Sequence, residues 1–136
     1  MREDLITMLR LDHVAVPVSD MEAALQFYGE ELGLKFMFRN VDPVEQEDFA
    51  YFEVEGGNLE LLKSLAHPFD RPDIKPPYCP HLALGTSDID ATLRLIQERG
   101  LRLVKGPLKI EGKVTWLYIA DPDNNVIEFV QWLEQK

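Results

Sequence analysis

Shifted by 68 positions, the chain lies over itself. His13-Val14-Ala15-Val16 falls on His81-Leu82-Ala83-Leu84, and Ser19-Asp20-Met21-Glu22 falls on Ser87-Asp88-Ile89-Asp90. Leu59-Glu60-Leu61 falls on Ile127-Glu128-Phe129. In both halves the glutamate follows the histidine by 47 residues. A polar pair repeated at constant spacing inside apolar segments marks the duplication of one supersecondary unit. The chain must therefore fold as two copies of the same arrangement, and 136 residues suit two small units in one domain.

Each half reads as strand, helix and three further strands. The first strands are expected over residues 9–17 and 79–85, where alternation gives two distinct faces. Ser19-x-x-Glu22 and Ser87-x-x-Asp90 have capping-box form, so a helix is expected to follow each first strand. Ala24, Phe27, Tyr28 and Leu32 in one half, and Ile89, Leu93 and Ile96 in the other, carry helical spacing. Gly33 and Gly100 stand where a helix ends in the left-handed region. The remaining strands are expected over 35–41, 47–54 and 58–62, then 101–105, 114–120 and 126–132. Gly56-Gly57 and Asp121-Pro122-Asp123-Asn124-Asn125 supply the last turns.

The expected fold class is α+β, with two tandem βαβββ modules whose curved mixed sheets form a metal-binding trough, helices outside. Module one covers about 8–65, a Pro-rich linker about 66–79, and module two about 80–134, the whole making a single domain over 1–136.

Four polar side chains stand out in these strands. His13 shares a strand face with the small Ala15, while Val14 and Val16 share the other and are expected to pack on the helix. Glu60 and Glu128 each sit within an apolar run, where an ionised carboxylate is costly unless paired or metal-bound. A lone strand histidine is usually a core or surface residue, and a lone strand glutamate usually faces water. The repeat shifts that balance toward one joint metal site made of His13, Glu60, His81 and Glu128. Imidazole and carboxylate donors suit one divalent ion: zinc, nickel, cobalt, manganese or iron.

Composition narrows the partners. A net charge of −10 opposes nucleic acid and anionic membranes. No apolar run reaches transmembrane length, and the amino-terminal residues MREDLITMLRLD do not read as a signal peptide. Cys79 is the only cysteine, so no internal disulfide forms. These features fit a cytoplasmic protein acting on a small-molecule substrate.

The segments LDHVAVPVSDMEAALQFYGEELGLKF, NLELL, PHLALGTSDIDATLRLIQERGLRL and ADPDNNVIEFV resemble the vicinal oxygen chelate superfamily, which includes glyoxalase I, methylmalonyl-CoA epimerase, extradiol dioxygenases and antibiotic-resistance proteins. The last segment is similar to the family's DPDGNxIEL signature, with Asn124 in place of glycine. The resemblance places the metal ligands at His13, Glu60, His81 and Glu128, a set nearest to glyoxalase I and the epimerase. It implies a lyase or isomerase of glyoxalase type, moving a proton next to a metal-chelated carbonyl. It assigns the proton transfer to Glu128, with Glu60 as the alternative base. Relatives build the site within one chain or between two, and a homodimer is expected.

The resemblance departs at Pro17 and Ser64, where bacterial glyoxalase I carries an arginine and an asparagine that hold glutathione. That argues against glutathione here. Lys113 is a candidate for holding an anionic group, and Trp116 and Tyr118 for lining a cavity. Met21, Phe36 and Phe38 read as packing residues. Two other functions stay open. An extradiol-type dioxygenase would use His13, His81 and Glu128, with Glu60 occupying a position it needs free. A non-catalytic small-molecule binding or resistance protein would not need the intact ligand set.

Overall fold

The computed structural model describes residues 4–133. The chain divides into two compact units, Met1–Pro68 and Phe69–Lys136, and the division falls inside the expected linker. The expected end of module two, residue 134, lies outside the described residues.

In the first unit, β1 is His13–Pro17, α1 is Met21–Leu25, β2 is Lys35–Asp42, β3 is Glu47–Glu53 and β4 is Asn58–Ser64. In the second, β5 is Leu82–Gly85, α2 is Ile89–Glu98, β6 is Arg102–Ile110, β7 is Val114–Ala120 and β8 is Val126–Trp132. A single 3-10 turn, Leu5–Met8, precedes β1, and α1 runs on into a π turn over Gln26–Glu31. The sheets have orders β1-β4-β3-β2 and β5-β8-β7-β6. In each, the first and last strands pair in parallel and the rest are antiparallel. The two βαβββ units thus repeat one topology, as the duplication requires.

Strand alternation sorts each sheet into two faces. Ala50 and Phe52 on β3 and Leu59 and Leu61 on β4 are buried with Met21, Ala24, Phe27 and Tyr28 of the first helix. In the second unit Leu117, Ile119 and Ile127 are buried along with Ile89 and Ile96 of α2. Trimming one of these, Leu61→Ala for example, removes a fully enclosed side chain and costs roughly 2–5 kcal/mol. Val16 is buried as expected, but Val14 is 36% exposed. β1 is an edge strand, with β4 as its one neighbour in the sheet.

The helix starts differ from the expected capping box. The cap residues are Asp20 and Asp88, whose carboxylates accept from the backbone N–H of Ala23 and Ala91. Aspartate also suits the positive end of the helix dipole. Gly33 and Gly100 do adopt positive φ after the helical segments. β6 continues past the expected stop at residue 105, through Gly106-Pro107 to Ile110. It is an edge strand with register shifts there, the setting in which a strand tolerates proline. At Gly106, with φ of 108°, an added Cβ would meet Leu117 Cα at 2.9 Å, so the strand bends against β7 only because this residue is glycine.

Candidate functional site

β4 is the second strand of its sheet, and its alternation turns Leu59 and Leu61 to the helix and Glu60 to the opposite face. Register places Glu60 between Ala15 on β1 and Tyr51 on β3. The small Ala15 leaves room beside the carboxylate. His13, two residues earlier on β1, brings its Nε2 to 3.3 Å from Glu60 Oε1. Its other ring nitrogen, Nδ1, lies 2.7 Å from Asp12 Oδ2. The carboxylate thereby fixes the imidazole with Nε2 directed at Glu60. The Glu60 side chain is only 14% exposed, and burial raises its pKa above the ordinary value, with His13 opposing that shift and Glu47 adding to it.

The second unit repeats the pattern. Glu128 on β8 stands between Ala83 on β5 and Tyr118 on β7. His81 immediately precedes β5, and its Nε2 lies 2.7 Å from Glu128 Oε1. Here the backbone carbonyl of Tyr78 holds the ring, accepting from Nδ1 at 2.9 Å. Because a carbonyl only accepts, Nδ1 carries the proton in this bond.

Each sequence-predicted pair is therefore assembled within its own unit: His13 with Glu60, and His81 with Glu128. Among the described residues, no group of three or more His, Cys, Asp or Glu side chains is arranged to hold a metal. The donor chemistry within each pair fits a divalent ion. Ligands about 2.1 Å from a metal and at right angles stand about 3 Å apart, and the two pairs bracket that spacing.

Asp12, Tyr51 and Tyr78 stand at the site and, unlike Tyr118, were not singled out by sequence reasoning. Asp12 and the Tyr78 carbonyl orient the two imidazoles. Tyr51 stands edge-on to the His13 ring, with centroids 5.3 Å apart, and Tyr118 stands edge-on to His81 at 5.5 Å. Burial raises the Tyr51 hydroxyl pKa, and the nearby Glu60 and Asp12 charges add to the shift. Tyr51 stands opposite Glu60 as Tyr118 stands opposite Glu128, but the 68-residue shift lays Tyr51 over Ile119, so the repeat gave no signal for it. Tyr78 also packs on Tyr118 at 4.9 Å.

Other expectations resolve plainly. Lys113 sits over the exposed Trp132 ring, with its Nζ 5.9 Å from the ring centroid. Trp116 and Tyr118 share one face of β7, with Tyr118 opposite Glu128 of β8 and Trp116 opposite Val130. Met21 is core, 2% exposed, whereas Phe36 and Phe38 are 50% and 42% exposed. The latter two belong to edge strand β2, every residue of which but Asp42 is exposed. Cys79 is free and exposed. Among the described residues, no helix is long and apolar enough to cross a membrane.

The chain has named relatives. It is 28% identical over 127 residues to the lactoylglutathione lyase of Neisseria meningitidis serogroup A, a match covering 90% of this chain and 91% of the relative. The lactoylglutathione lyase of Haemophilus influenzae is 25% identical over 127 residues, covering 90% and 93%. Among solved structures, TnmS3, an antibiotic binding protein from Streptomyces sp. CB03234, superposes with a TM-score of 0.68 at 28% identity, covering 91% of this chain and 96% of that one. A glyoxalase family protein from Enterococcus faecalis superposes with a TM-score of 0.72 at 23% identity, covering 88% and 95%, a likeness of fold. The model of the Glyoxalase/Bleomycin resistance protein/Dioxygenase superfamily matches residues 10–129, and the chain, with its doubled His–Glu unit, belongs to that superfamily.

Proposed function

We propose that this chain is a divalent-metal-dependent lyase or isomerase of glyoxalase type, with His13, Glu60, His81 and Glu128 as the metal ligands. One observation carries the reading. Both histidines present Nε2 to a glutamate oxygen, at 3.3 and 2.7 Å, while Nδ1 is held by a separate partner. Orienting a ring through its far nitrogen is how proteins prepare histidine to ligate. Zinc, nickel, cobalt, manganese and iron all accept these donors.

When bound, the ion supplies Lewis acidity to a substrate carbonyl and makes the neighbouring C–H more acidic. The residues of the chain do the rest. Glu128 accepts the proton from that carbon and returns it to the adjacent position, so atoms and charge balance over the cycle. Glu60 is the alternative base, since it holds the equivalent position in the other half. A well-placed carboxylate contributes on the order of 10²–10⁴ in rate. Glu60 also counts against an extradiol dioxygenase, because it takes a position that reaction leaves open.

The small-molecule substrate is not expected to be a glutathione conjugate, given Pro17 and Ser64. We place the protein in the cytoplasm as a homodimer. The His13 side chain is 34% exposed in the single chain, which suits a site completed by a second copy. The 28% likeness to an antibiotic binding protein keeps a non-catalytic binder as the second reading.

Metal analysis of protein purified without added metal tests the proposal, together with solvent deuterium incorporation next to the carbonyl of an α-keto or thioester substrate. About one bound ion per site and deuterium uptake are expected. Absence of both leaves the binding protein as the reading.

A further inference from the structure

The face of the first sheet that carries Glu60 also carries a run of aromatic rings. Register places Phe38 on β2 opposite Tyr51 on β3, and Tyr51 opposite Glu60 on β4. Phe49, two residues before Tyr51, shares its face and stands opposite Leu62. The rings of Phe38 and Tyr51 are stacked, with centroids 5.2 Å apart and planes 13° from parallel. Phe49 meets both edge-on, at 6.1 Å from Phe38 and 6.2 Å from Tyr51. Tyr51 in turn meets the His13 ring. The rings thus form an unbroken path from the candidate ligand to the sheet edge.

These rings are not core. The buried residues of β3, Asp48, Ala50 and Phe52, lie on its other face, whereas Phe49 and Tyr51 are partly exposed and Phe38 is 42% exposed. Apolar surface left open beside a polar pair is costly unless something covers it. An aromatic face favours a flat partner, through stacking and apolar burial. Phe49 stands between Leu62 on β4 and Asn40 on β2, and polar residues resume beyond it at Glu47, so the apolar stretch is bounded by the His13–Glu60 pair at one end and by Asn40 and Glu47 at the other.

Resting on the function proposed above, we infer that Phe38, Phe49 and Tyr51 form a stacking platform that selects substrates with a flat, ring-bearing body next to the oxygens that meet the His13–Glu60 pair. Tyr51 positions the ring against the imidazole, Phe38 extends the platform outward, and Phe49 closes its side. The substrate class is an oxygenated aromatic compound rather than an open-chain acid or a peptide-like conjugate.

The test uses the metal-loaded protein and two probes that present neighbouring oxygens: oxalate, which has no ring, and a naphthalene with two adjacent hydroxyls. Calorimetry measures both against the wild type, Phe38→Ala, Phe38→Leu and Phe49→Leu. The leucine variants keep apolar bulk without a ring and guard against loss of folding. The ring-bearing probe is expected to weaken by about tenfold in each variant, with oxalate within about twofold of wild type. Unchanged affinity for the ring-bearing probe, or equal loss for both probes, overturns the platform while oxalate binding upholds the metal site. A fall in sedimentation mass in Phe38→Leu also overturns it, by assigning the rings to a subunit contact. Failure of oxalate to bind the wild type overturns the metal reading itself.

Discussion

Asp12 is a surface carboxylate whose importance comes from one bond. Its Oδ2 lies 2.7 Å from His13 Nδ1, and without it the ring loses the partner that aims Nε2. Asp12→Ala is expected to lower metal affinity by about 10–100-fold while leaving the melting temperature of the metal-free protein nearly unchanged, as competition with a chelator and thermal melts would read. Glu60 makes a different prediction. Its pKa is raised in the folded chain, so between the ordinary glutamate value and the raised one the folded state binds more protons than the unfolded state. Stability from this residue is greatest at low pH and falls as pH rises through the raised value. Without metal, Glu60→Gln should therefore gain on the wild type as pH climbs from about 4 toward neutrality, seen as a widening gap in Tm. A gap that narrows would reverse the assigned environment. Glu128→Gln should lower kcat by about 10²–10⁴ with the fold largely kept, as activity assays and circular dichroism would read. Full activity would remove Glu128 as the base.

The elements show why some of this was legible and some was not. β7 and β8 occupy the expected spans because alternation and turn residues agree at both ends. The start of β5 was overestimated because Pro80 has no N–H to give a ladder. The His–Glu pairs were visible through their common spacing. Their partners Asp12 and Tyr78 were not, since nothing local distinguishes a carbonyl or a flanking aspartate that will meet a ring. The same holds for Asn124. Its departure from glycine was plain, but the reason lies far away in sequence. Asn124 adopts φ of 68°, which asparagine tolerates, and its Oδ1 accepts from Arg71 Nη2 at 3.0 Å and Arg102 Nη2 at 2.9 Å. Its Nδ2 donates to the Pro72 carbonyl at 3.0 Å. Asp121 braces the turn from beneath, accepting from the backbone N–H of Asp123 and Asn125. Asn124→Gly should thus cost about 1–2 kcal/mol despite the easier backbone, and should speed proteolysis near Arg71. A glycine variant as stable and as protease-resistant as the wild type would show that the pinning contributes nothing.

At the scale of the whole molecule, the duplicated architecture makes subunit exchange informative. If a second copy completes each site, a chain disabled in its first half and another disabled in its second half restore one intact site when mixed. His13→Ala combined with His81→Ala protein is expected to regain roughly a quarter of wild-type activity after exchange, although each alone is inactive. No recovery would place all four ligands within one chain.

The first and last strands of each sheet lie side by side, so every donor pair is secured by hydrogen bonds confined to its own copy. Mutation of Glu60 disturbs none of the bonds that seat His81 and Glu128. Either copy can therefore change without unseating the donors of the other, so the joint site can be lost while the fold is kept.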